Sequence, residues 1–160
     1  MSADRLMATY LNDHLAGSSF GLELARRAAR NNRGTDYGEV LGELTEQIAE
    51  DRQALQSIMR RLGVRSDVAK LVLAWAGEKL GRLKRNGRLL QYSPLSRLEE
   101  LEMLDIGVEG KHLLWQALRV RVPEDPNLDE IELATLIERA RSQRHTIEQQ
   151  RRRAAADALR

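Results

Sequence analysis

The chain has no cysteine. Disulfides, thiolate catalysis and Cys-ligated zinc or iron–sulfur centres are therefore excluded. Aromatic residues are almost as scarce, with one Phe, two Trp and three Tyr in 160 residues, so a core must be built from Leu, Ile, Val, Ala and Met. Only three Pro interrupt the sequence, which leaves long stretches free to form helix. No run approaches the roughly 18 consecutive apolar residues that would span a bilayer. The opening residues Met1 to Arg5 carry no apolar run with a small-residue cleavage site, so no secretion leader is expected and the cytoplasm is the expected location. Net charge is only +2, too close to balance to announce a nucleic-acid protein.

What remains is rich in Ala, Leu, Glu and Arg, side chains that lose little freedom in a helix. Apolar spacing and stop signals predict five helices in a single domain over 1–160. The first runs from about Asp4 to Arg30, and the second from about Asp36 to Leu62, before Gly63. Ser66 caps a third, which extends to about Arg85 before Asn86-Gly87. Ser93-Pro94 opens a fourth that reaches about Leu118, and after Pro123 and Pro126 a fifth starts near Leu128. The apolar pattern of the last segment weakens after Ile147, which predicts a basic, frayed tail over about 150–160.

Short connections make successive helices antiparallel. If the third helix only carries the chain back, the other four form an up-down-down-up bundle. The fragments Tyr10-Leu-Asn-Asp-His14, Glu50-Asp-Arg52, Glu78-Lys-Leu-Gly-Arg-Leu-Lys84, Tyr92-Ser-Pro-Leu-Ser-Arg97 and Gly107-Val-Glu-Gly-Lys111 resemble a bacterial family within the ferritin-like superfamily. The resemblance covers most of the chain. It implies two helical hairpins joined by a long helical crossover, without the full di-iron motif and without an assigned activity.

Ferritin-like di-iron sites take a Glu from each of two helices and a Glu-x-x-His pair from each of the others. One pair is present, Glu109-Gly-Lys-His112. The other helices fail to turn carboxylates inward. In the first helix Met7, Leu11, Leu15, Leu22 and Ala25 trace the apolar face and Glu23 lies nearly opposite; in the second, Glu39, Glu43, Glu46 and Glu50 form a stripe facing water. No metal site and no cofactor are therefore expected. A divergent ferritin-like metal protein, the alternative, would use His14, Asp105, Glu109 and His112.

Polar residues on the apolar faces carry more information. His14, Asp51, Lys79 and Asp105 interrupt apolar seams of the first four helices, and counting outward from each turn puts them near one level. One His, one Lys and two Asp at one depth predict a compensated ionic layer, since a buried charge is costly unless paired. Charge is also segregated along the chain. Residues 36–51 hold six acids and no base, and residues 139–160 hold seven Arg against Glu148 and Asp157. There is no phosphate-binding glycine loop and no convincing partner for a nucleophilic Ser. The expected function is non-enzymatic, through a protein partner or a homo-oligomer, with neither membrane nor nucleic acid as the expected partner.

Overall fold

The computed structural model describes residues 3–67 and 92–160. Among them are four long helices, α1 (Ala3–Asn31), α2 (Asp36–Arg61), α3 (Pro94–Val120) and α4 (Glu130–Ala158), with one 3₁₀ turn at Val122–Glu124. The chain is thus all-α, and no strand occurs among the described residues. The third predicted segment, with Lys79, lies outside the described residues. The fourth and fifth predicted segments are α3 and α4.

Local chemistry sets the ends. The Thr35 hydroxyl accepts from the Gly38 amide at 3.2 Å to start α2, Ser93 accepts from Ser96 at 3.2 Å ahead of Pro94, and Asp129 accepts from Glu132 at 2.6 Å. Each cap satisfies an amide that the first helical turn leaves free. Gly34 closes the α1–α2 turn at φ +80°, in the left-handed region. At Gly38 the α1–α2 turn folds back so tightly that a Cβ would lie 2.2 Å from the carbonyl oxygen of Asn32.

Side-chain contacts give the helix directions. Asn12 of α1 receives the Asp67 amide at 2.7 Å, so α2 ends beside the start of α1. At the far end Asn32 donates to the Tyr92 hydroxyl at 2.6 Å, and Arg97 donates to Asn32 at 2.6 Å. Tyr92 in turn donates to Glu100, which Arg27 holds at 3.0 Å. Burial and the Glu100 carboxylate push the Tyr92 hydroxyl up to about 12. α3 therefore begins at the end of α1 and runs in the same direction as α2, packed against α1 and α4, and α4 returns. The chain leaves at Asp67 and re-enters at Tyr92, points some 20 residues apart along α1, about 30 Å.

One core fills the bundle. Leu11, Leu15, Leu41, Ile58, Leu101, Trp115, Leu118, Leu133 and Ile147 are among its fully enclosed side chains. α4 continues past the point where its apolar pattern thins. It stays helical to Ala158, with Ala154 buried. Small residues suffice there because polar contacts replace apolar area. Tyr37 donates to Asp157 at 3.2 Å, and the guanidinium groups of Arg97 and Arg153 stack on the Tyr37 ring at 4.3 and 4.8 Å.

Candidate functional site

Among the described residues the most deeply buried charged group is Asp51 of α2, 1% exposed. Its Oδ2 accepts from Lys111 of α3, and from the Gln143 side-chain amide of α4 at 3.0 Å. Lys111 also donates to Gln143 Oε1 at 2.6 Å, which closes a triangle. On the other oxygen, Arg139 NH2 stands 2.5 Å away, an ion-pair contact without hydrogen-bond geometry, and Arg139 also reaches Glu50 at 2.9 Å. Burial pushes the Lys111 ammonium below the ordinary lysine range, against the opposing pull of Asp51. The carboxylate and two cations offset one another in a space that no single one of them could occupy as a charge.

This cluster differs in membership from the layer expected from sequence. Among the described residues Asp51 meets Lys111, Gln143 and Arg139 and not His14; Lys79 lies outside them. Asp105 is elsewhere, on the α3–α4 seam, gripped in two places by Arg144 at 3.0 and 3.2 Å. His14 stays on α1, half-buried, its ring meeting Tyr10 edge-on at 4.6 Å. Desolvation holds its imidazole below the usual pKa, with Asp13 pulling the other way.

The sequence did contain the missed members. Leu101, Leu104, Val108, Lys111, Trp115 and Leu118 repeat at alternating steps of three and four, so Lys111 stands in the inward seam of α3. Likewise Leu136, Ala140, Gln143, Ile147, Gln150 and Ala154 form the buried stripe of α4, with Gln143 inside it. Asp105, expected among the inward residues, stands one position beyond the seam residue Leu104 and is only partly buried.

The residues of the metal alternative are not brought together. Glu109 accepts from Arg144 at 2.7 Å and approaches His112 Nδ1 at 3.3 Å, while His112 Nε2 meets Gln116 at 3.2 Å. A guanidinium thus stands between Asp105 and Glu109, where a cation would have to bind. Among the described residues no three of His, Cys, Asp and Glu are grouped closely enough to hold a metal ion.

Beside the polar cluster lies a groove of about 530 Å³ between α1 and α3, with α2 behind it. Leu24, Ile48, Leu55, Leu104 and Trp115 line its apolar interior. Gly17 and Gly21 on α1 face Gly107 and Gly110 on α3 across it, and a Cβ at any of the four would meet nothing within 4 Å. The absent side chains are therefore what keeps the groove open. The Trp115 indole N–H, fully buried, has no acceptor among the described residues. An unmet buried donor costs about 1–3 kcal/mol. Asp51 and Lys111 reach the lining from the polar cluster, and Arg52, His14, Asp13 and Ser18 are also part of it.

Outside the groove both helices carry exposed apolar residues. Tyr10 on α1 and Met103 and Ile106 on α3 border it, Ile106 being 66% exposed. Helical spacing continues the two stripes to Leu6 and Leu113, which are 52% and 51% exposed. Among the described residues no helix is long and apolar enough to cross a membrane. Comparison with protein-family models, with curated proteins and with solved structures finds no match.

Proposed function

We propose that this chain is a non-catalytic bundle that acts through protein–protein contact, and specifically through self-assembly on the α1–α3 face. We also propose that its plan is ferritin-like, with the connection from Asp67 to Tyr92 as the crossover between two hairpins. The exposed apolar stripes carry the functional reading. Large apolar side chains that line up on two neighbouring helices mark a surface made to be covered. A chain with a net charge of +2 has little self-repulsion to keep copies apart. The interior charges support the same reading, since Asp51, Lys111 and Arg139 satisfy one another.

The test is solution mass by light scattering across a concentration series. A mass that is a multiple of the 18.2 kDa chain, returning to one chain in Ile106→Asp, is the expected result. A single-chain mass at every concentration overturns self-assembly and leaves a different protein as the partner. The metal-binding alternative, on His14, Asp105, Glu109 and His112, requires Arg144 to withdraw from two carboxylates. Stoichiometric iron retained by the purified chain would establish it against this geometry.

A further inference from the structure

Beyond the protein-contact reading, we propose that the α1–α3 groove is a binding site for a small amphipathic carboxylate, the class of a medium-chain fatty acid. Its acid group sits on Arg52 and its chain lies among Leu24, Ile48, Leu55 and Leu104.

Size comes first. A volume of about 530 Å³ falls within the roughly 300–1,000 Å³ of small-molecule sites, which are mostly apolar with a few placed polar groups. The four glycines make this volume available, two from each wall. Each leaves open space where a side chain would stand.

Charge then selects the ligand. Three cationic or titratable nitrogen groups reach the lining, and they are not equivalent. Lys111 is neutralised by Asp51 and held by Gln143. His14 is disfavoured as a cation by its own desolvation. Arg52 is different. Its Nε donates to Ser19 at 3.2 Å, which ties the guanidinium across from α2 to α1, and no carboxylate lies within 4 Å of it among the described residues. A positioned, half-buried guanidinium beside an apolar groove fits a carboxylate through two parallel hydrogen bonds. The acids at the lining do not compete for it, since Asp51 is committed to Lys111, Gln143 and Arg139, and Asp13 is exposed. Trp115 adds a buried N–H donor with no acceptor among the described residues, a second group toward which an oxygen on the ligand could be directed.

The experiment is calorimetric titration of the full chain with decanoate and, in parallel, with decanol. Wild type is expected to bind one decanoate per chain and to bind decanol more weakly. Arg52→Met is expected to weaken decanoate by about 10- to 100-fold, the range of a charge-assisted hydrogen bond, and to leave decanol unchanged. Arg52→Lys should recover part of the loss. Gly110→Leu, which fills the groove, should abolish both ligands without lowering the melting temperature, and Gly21→Leu repeats that test from the opposite wall should the first variant not fold. Wild type that binds neither ligand overturns the proposal. So does an equal loss of both ligands in Arg52→Met, and so does full binding by a folded groove-filled variant. Because Arg52 and Gly110 are not members of the exposed stripes, solution mass measured alongside separates failure of this site from failure of self-assembly.

Discussion

The two sides of α3 obey different rules. Toward α4 it meets a helix that covers it along its length, with Arg119–Glu130, Arg144–Asp105 and Arg151–Glu102 pairs bridging the edge. Toward α1 it presents Gly107 and Gly110 to two further glycines, and the seam opens into a groove. A helix in a small bundle can be fastened on one side and left accessible on the other, provided the buried charge is settled in between. The Asp51–Lys111–Gln143 triangle does this, because it lies at the groove yet draws its partners from α2, α3 and α4. Stability should therefore respond strongly to the triangle, weakly to the edge pairs, and in the opposite direction to filling the groove.

The largest effect is expected at Asp51. Asp51→Ala leaves Lys111 enclosed without its counter-charge, a loss of about 3–5 kcal/mol, whereas Glu46→Ala, on the exposed face of α2, should change stability by no more than about 0.5 kcal/mol. Urea denaturation of the two variants makes the measurement, and equal midpoints would break the comparison. Combining Asp51→Leu with Lys111→Met, which removes both charges, should recover much of the loss.

Two glycines provide the next contrast. Gly38→Ala drives a methyl group into the Asn32 carbonyl and should cost about 1–3 kcal/mol, in the manner of an overpacked core. Gly21→Ala adds a methyl group to open space in mid-helix and should instead stabilise by about 0.5–1 kcal/mol. Thermal unfolding of both decides whether the groove is spacious or merely drawn so.

Smaller still is the fastened edge. Arg144→Ala removes a partly exposed pair network and should cost about 0–1 kcal/mol, with the difference shrinking in 1 M salt. A double-mutant cycle with Asp105→Ala checks it.

The smallest effect concerns pH. Hydrogen bonds from Arg151 and Arg152 bring the exposed Glu148 carboxyl down to about 2. A carboxyl whose folded pKa is depressed contributes stability above its unfolded pKa, and that contribution disappears as pH falls through the folded value. Acidification from about 4.5 to 2 should therefore loosen the end of α4 first in the wild type. In Glu148→Gln the same amide signals should change little over that window.

Much of this arrangement could be read from the sequence, and the limits have specific causes. Helix boundaries near Asn31, at Asp36 and at Pro94 followed from Gly, Pro and cap residues acting locally, and the last helix, expected from near Leu128, starts at Glu130. The burial of Asp51 followed from its place beside Ile48 and Leu55. The identity of its partners did not follow, because it depends on helix rotation. A step of about 100° around α3 separates Asp105 from the inward seam that holds Leu104 and Lys111. The persistence of α4 to Ala158 was hidden for another reason. Ala154 offers little apolar area, and the stacking of Arg97 and Arg153 on Tyr37 joins three helices that are far apart in sequence. The groove was invisible as well, since four scattered glycines acquire meaning only when two helices set them opposite one another.

The polar triangle also bears on how the chain folds. Asp51 belongs to the first hairpin, whereas Lys111, Gln143 and Arg139 all belong to the second. Contacts within each hairpin are close in sequence and inexpensive to form early, whereas 60 residues separate Asp51 from Lys111. The triangle can therefore close only as the hairpins dock. Substitutions there should accelerate unfolding more than they slow folding, the pattern of contacts absent from the transition state. In that role the buried charges act as a latch, set last and released first, which governs how long the folded bundle lasts between openings.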